Sequence, residues 1–263
     1  MSSVLRMEDQ GAVVQVVLNR PDKRNALDVR LFEAIIQAQQ TLADRQDLRV
    51  VILRGEGAAF CAGLDLGTFG GEPALANTLF KHVPGTDVTV AQQVAVGWRS
   101  LSVPVIAVLH GQVFGGGLQI ALGADLRIAA PDTQLSIMES RWGLIPDMGA
   151  TTTLQQLLRI DQVLELTYSA RVLGAEEALQ LGLVTRVVAD PLTAAIELAD
   201  GISLKSPDAI AGAKRLFFDT WYAEANAGLG REAELQRLLL GSANQLEAVR
   251  ANFEKRAPKF TTE

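Results

Sequence analysis

Cysteine is almost absent from this chain. Cys61 is the only one in 263 residues, and histidine occurs only at His82 and His110. A single cysteine cannot close a disulfide within the chain, and zinc sites built from Cys and His lack their ligands, so no metal site is expected. A Ser-His-Asp hydrolase would have two histidines to draw on, and neither stands in a recognisable pattern with a serine and an acid. Aromatic residues are sparse at 5%, and 24 Lys and Arg face 30 Asp and Glu, a net charge of −6. That balance excludes a general nucleic-acid surface and leaves room only for local basic patches. No apolar run approaches the ~20 residues that span a bilayer, so no membrane partner is expected. The start, Met1 to Asp9, has no apolar core behind a basic segment and does not read as a signal peptide. These absences lead to the expectation of a cytoplasmic protein.

What is present is the material of one α/β body with a sizeable core: 48% hydrophobic and 21% charged residues, with 23 glycines for turns and close backbone approaches. Val13–Leu18, Val50–Leu53, Val105–Leu109, Leu126–Ala129 and Leu135–Ile137 read as strands. Asp28 is placed to cap a helix carrying Leu31, Phe32, Ile35, Ile36 and Leu42 at helical spacing. A further helix is expected over 88–101. The segment 67–86, with Gly67, Gly70, Gly71, Pro73, Pro84 and Gly85, reads as a mobile loop. After Pro146 helical patterns dominate, at about 149–158, 161–169, 175–181, 191–203, 207–221 and 229–254, interrupted by a short strand at 183–188. The expected division is a core domain over 1–198 and a helical region over 199–263.

Two glycine-bearing loops stand out. Gly115-Gly116-Gly117 follows a strand and opens a helix. Bare backbone N–H groups at a helix start can hold an anionic or developing oxyanion oxygen; a tight strand-to-helix turn is the equal alternative. No Lys-Ser/Thr follows, so it is not a phosphate-binding P-loop, and the dinucleotide fingerprint is missing. Ala59-Phe60-Cys61-Ala62-Gly63-Leu64-Asp65-Leu66 likewise follows a strand. Cys61 fits a small core residue better than a nucleophile.

These loops, with Asn19-Arg20-Pro21, Asn25-Ala26-Leu27, Ala124 to Ala129, Gly143-Leu144-Ile145-Pro146 with Gly149, the run Ala178 to Val188, and Phe253-Glu254-Lys255-Arg256, resemble the crotonase superfamily, the enoyl-CoA hydratase/isomerase family, over nearly the whole chain. The resemblance implies a spiral of repeated β-β-α turns and a helical C-terminal region that builds a homotrimer or a dimer of trimers. It implies an acyl-CoA thioester as substrate, whose oxygen is held by the N–H groups of Leu64 and Gly116, with no separate cofactor. It places Lys23, Arg24, Ala26, Ala62, Asp65 and Lys255 along the CoA. Asp65 is read as fixing its own loop rather than doing chemistry. Trp142 is assigned to the acyl pocket, with a core role as the equal alternative.

Hydratases of the family carry two glutamates, at the positions of Gln119 and Glu139 here. Gln119 cannot ionise, so it can only orient water or substrate, which leaves Glu139 as the proton carrier. Asp147 stands where the family's dienoyl-CoA isomerases have an acid, and a helix N-cap is its equal alternative. The resulting expectation is an enzyme that isomerises or hydrates an unsaturated acyl-CoA. The alternative is an acyl-CoA binder with little hydratase activity because of Gln119.

Overall fold

The structure is a computed structural model, and it describes residues 3–65, 67 and 77–262. Residues 68–76 of the segment expected to be mobile lie outside the described residues. The strands are β1 (Leu5–Gln10), β2 (Val13–Leu18), β3 (Val50–Gly55), β4 (Val105–Leu109), β5 (Gln112–Phe114), β6 (Leu126–Ala129), β7 (Gln134–Ser136), β8 (Leu173–Gly174) and β9 (Arg186–Val187). The helices used below are α1 (Val29–Ala43), α2 (Val90–Val96), α3 (Gly116–Gly123), α4 (Ala150–Leu154), α5 (Ile160–Ser169), α6 (Ala175–Leu181), α7 (Pro191–Ser203), α8 (Pro207–Thr220), α9 (Ala225–Leu239) and α10 (Ala243–Glu254).

Six strands form one sheet in the order β1-β2-β3-β4-β6-β9, antiparallel only between β1 and β2. Parallel strands are covered on both faces, which is why β2, β3 and β4 read as nearly unbroken Val, Ile and Leu. One face packs the main core with α1 and α2, through Phe32, Ile35, Val94 and Trp98. The other, through Val13, Val50, Ile52, Ile106 and Val108, is covered by Ala195 and Ala199 of α7. Residue 198, the expected end of the core domain, thus lies inside a helix that packs on the sheet.

A second layer runs alongside. Leu27 bridges Leu64, Cys61 bridges Val113, and β5 pairs with β7, all in parallel, before β8 adds an antiparallel edge. Each turn of chain therefore gives one strand to the large sheet and one short segment to the second layer, the β-β-α spiral that the motifs imply.

Several elements depart from the sequence expectations. β1 is an additional edge strand, missed because Arg6, Glu8 and Asp9 interrupt its apolar residues. The helix expected over 88–101 is α2, opened by a capping box of Thr89 and Gln92 and followed by one 3-10 turn at Gly97–Ser100. The helix expected over 229–254 is two helices, α9 and α10, parted at Gly241, where φ is 82°, and restarted by the Ser242 cap. No helix among the described residues is long and apolar enough to cross a membrane.

Candidate active site

The site forms where the second layer meets the start of α3. Cys61 pairs with Val113, with the Cys61 N–H donating to the Gln112 carbonyl (3.1 Å) and the Phe114 N–H to the Cys61 carbonyl (3.0 Å). Three residues past this bridge on each segment stand Leu64 and Gly116, so the two sit at matching positions. On the side facing Leu27, the Leu27 N–H donates to the Gly63 carbonyl and the Asp65 N–H to the Leu27 carbonyl. Peptide groups alternate direction along an extended segment, so the Leu64 N–H points the opposite way, toward α3. Gly116 opens α3, and a first helical N–H has no acceptor inside its helix. Among the described residues neither N–H has an acceptor within the chain.

Each glycine of the triplet has its own reason. Gly115 has φ 50° and ψ −120°, a conformation open to glycine alone. A Cβ on Gly116 would meet Met148 Sδ at 2.8 Å and Leu27 Cδ1 at 3.0 Å. One on Gly117 would lie 2.4 Å from the Cys61 carbonyl oxygen. Gly63 is equally constrained, since its Cβ would lie 2.9 Å from the Phe114 carbonyl oxygen and 3.9 Å from the Gly116 nitrogen. The close approach of the two loops thus depends on bare backbone on both sides.

A cavity of about 270 Å³ opens over this pair. Its lining brings together Lys23, Ala26, Ala62, Leu64, Asp65, Gly116, Glu139 and Trp142 from the sequence-selected residues, and adds Met138 and Leu144. Glu139 begins a 3-10 turn, Glu139–Trp142, and is 9% exposed. Burial pushes its carboxyl above the ordinary carboxylate range, and the neighbouring Asp147 adds to the rise; hydrogen bonds from backbone N–H groups and from Gln119 pull the other way. Its Oε2 is buried and has no hydrogen-bond partner, while Oε1 accepts from Gln119 Nε2 at 2.6 Å. Gln119 Oε1 in turn accepts from the Met148 N–H at 2.8 Å. Both polar ends of Gln119 are therefore engaged by protein groups, where the sequence suggested that it orients water or substrate.

Other expected residues lie elsewhere. Asp147 is exposed and outside the cavity lining; partial burial still raises its carboxyl. It caps no helix, because α4 begins after Gly149, which holds the cap position in a left-handed conformation. Arg24 donates to Gln112 Oε1 at 3.1 Å and Lys255 ends α10 as an exposed C-cap; neither lines the cavity. Trp142 is 50% exposed and so is no core residue. Burial pushes the Cys61 thiol up to about 12, which removes it as a nucleophile at neutral pH. Among the described residues no group of three His, Cys, Asp or Glu side chains could hold a metal ion.

Sequence reasoning passed over two organising residues. Arg20 donates to Asp65 Oδ2 at 2.9 Å and to the Ala26 carbonyl, and lies 3.3 Å from Asp28 Oδ2. It ties the Leu64 loop to the start of α1, and its hydrogen bond holds Asp65 below the usual carboxylate range. Met148 gave no sequence signal, because its contribution is one backbone N–H and a thioether resting on Gly116.

This architecture matches known proteins along its whole length. The crystal structure of an enoyl-CoA hydratase from Bacillus anthracis superposes with a TM-score of 0.88 at 30% identity, covering 98% of this chain and 99% of that one. An enoyl-CoA hydratase of Mycobacterium tuberculosis is 32% identical over 256 residues, 97% of this chain and 95% of the relative. A mitochondrial Delta(3,5)-Delta(2,4)-dienoyl-CoA isomerase of Mus musculus is 32% identical over 270 residues, 96% of this chain and 80% of the relative. The family model described as enoyl-CoA hydratase/isomerase matches residues 8–263. The chain belongs to the enoyl-CoA hydratase/isomerase family and is an enzyme of that family.

Proposed function

We propose that this enzyme moves a double bond within an unsaturated acyl-CoA thioester. The observation that carries the reading is a buried carboxylate, Glu139, whose Oε2 has no protein partner, in one cavity with the N–H pair of Leu64 and Gly116. The two N–H groups hold the thioester oxygen and stabilise the negative charge that grows there, a contribution of roughly 3 kcal/mol per donor in comparable sites. Glu139 Oε2 takes a proton from carbon, leaving a dienolate whose charge rests on the thioester oxygen. Oε2, now O–H, returns the proton two carbons away, and the composition of the substrate is unchanged. Hydration by the two-carboxylate route lacks its second group here, because Gln119 cannot ionise. Asp147 beside Glu139 is assigned an assisting role, keeping that carboxyl basic. Lys23 supports the CoA phosphates, with Arg24 and Lys255 as outer candidates. These steps call only on hydrogen bonds and proton transfer, so the reading includes no separate cofactor.

The helical region over 199–263 is proposed to build a homotrimer or a dimer of trimers. Phe217, Trp221, Leu238, Leu240 and Phe253, all more than half exposed, support this. A cytoplasmic setting belongs to the same proposal.

The test is incubation with crotonyl-CoA, a 3-enoyl-CoA and a 3,5-dienoyl-CoA, followed by mass and absorbance. A change in absorbance at constant mass is expected with the 3-enoyl-CoA. A gain of one water by crotonyl-CoA, with no isomerisation of the others, would replace this reading by hydration. Binding of CoA esters with no conversion would leave only a binder.

A further inference from the structure

We propose that Gln119 and Met148 form a brace that dictates which oxygen of Glu139 carries the proton and locks that oxygen in register with the Gly116 N–H. The proposal rests on the reading of Glu139 as proton carrier, and it concerns positioning residues, which act through Glu139 and Gly116.

The Met148 N–H can only donate. It meets Gln119 Oε1 at 2.8 Å, so the amide oxygen must face Met148 and the amide NH2 must face Glu139. The orientation of a glutamine amide, often ambiguous, is here fixed by its partner. The NH2 meets Glu139 Oε1 at 2.6 Å. That oxygen is held as an acceptor, and a proton placed on it would confront another donor. The proton therefore belongs on Oε2, the buried oxygen with no protein partner.

Met148 also reaches the other half of the site. It is 2% exposed, and its Sδ is seated where a Cβ on Gly116 would lie 2.8 Å away. One residue thus sets the carboxylate through its main chain and backs the oxyanion donor through its side chain. A glutamate in place of Gln119 would keep one oxygen on the Met148 N–H but turn the other toward Glu139 Oε1. Two carboxyl groups that close must share a proton. Among the described residues, the charged groups around Glu139 are Asp147, next to Met148, and Lys23 and Asp65 on the cavity wall, the last paired with Arg20.

The experiment compares the parent enzyme with Gln119→Met, similar in size but unable to hydrogen bond, and Gln119→Glu. Carbonyl infrared difference spectra, with Glu139→Gln for assignment, follow Glu139 directly through a pH titration. The pH profile of kcat/KM is measured beside it. Gln119→Met is expected to move the Glu139 transition and the acid limb of the profile upward together, by about one pH unit or more, the size of a lost hydrogen bond to a charged group. KM should change less than about threefold. Gln119→Glu, which is nearly isosteric and guards against a folding failure, is expected to split the single transition into two. Met148→Ala keeps the N–H and loses the thioether, so it should lower kcat and leave the transition in place. An unmoved transition in both Gln119 variants would overturn the brace. If none of the acyl-CoA esters is converted, the spectra still test the brace while the kinetics reject the proposed reaction.

Discussion

At the scale of the residue, Glu139 has two consequences that separate by pH. Its folded-state value lies above the ordinary 4.5, chiefly through burial. The folded protein therefore binds this proton more tightly than the unfolded chain does. Its contribution to stability is fully present below the unfolded value and is lost as pH rises through the folded one. Once ionised, the buried carboxylate is thus a burden on the fold. Glu139→Gln is expected to raise Tm at pH 7 by about 2–4 °C, the shift that ~1 kcal/mol produces in a domain of this size. Below pH 4 the gain should vanish. The same variant should lower turnover by about 10²- to 10⁴-fold, the span attributed to a positioned acid-base group. Calorimetry at two pH values and steady-state kinetics check the pair, and a Glu139→Gln protein destabilised at neutral pH would contradict the assignment of burial as the main cause.

At the scale of the element, the contact between the two loops is the sensitive point. Gly117, in the first turn of α3, lies against the Cys61 carbonyl, where even a methyl group would lie 2.4 Å from main-chain oxygen. Gly117→Ala is expected to cost about 1–3 kcal/mol, the range for overpacking a well-filled interior, and to separate the two N–H donors. Denaturant unfolding measures the first effect and the affinity for a thioester analogue the second. Cys61 supplies a built-in control, since its buried thiol should react with a disulfide reagent in Gly117→Ala well before it does in the parent.

The strands that the sequence made legible were those buried on both faces, because a run such as Val50–Leu53 has few other uses. The edge strand β1 was not legible, since a charged outer side breaks the pattern that identifies a strand. The break at Gly241 was readable in principle from Gly-Ser before a helical run, but the continuing apolar spacing on both sides concealed it. In the site, the Gly triplet could be selected by type and position, and Glu139 through the family resemblance. The tasks of Gln119 and Met148 could not, because they depend on which hydrogen bonds the folded backbone leaves open.

At the scale of the whole molecule, many exposed apolar side chains among the described residues lie on or beside the last three helices, with others between Trp142 and Val172. Phe217 and Trp221 of the α8 end make an edge-to-face pair with centroids 6.1 Å apart, both more than half exposed. If these helices build the proposed trimer, sedimentation of the parent should give three copies or six. Trp221→Glu should release a smaller species, and a parent that sediments as a monomer would end that proposal.

The matching positions of Leu64 and Gly116 have one more consequence. Both donors stand three residues beyond a bridged pair on neighbouring parallel segments. Their approach is therefore set mainly by main chain, through the Cys61–Val113 bridge and the bare backbone at Gly63, Gly115 and Gly117. A spacing of that kind behaves like a lattice constant. It survives the exchange of most residues around it, provided that the few bare positions keep their glycines. A chain can then drift to about one-third identity with its relatives, as this one has, while keeping their fold, and in the proposed function the choice of reaction falls to the handful of side chains placed around this pair.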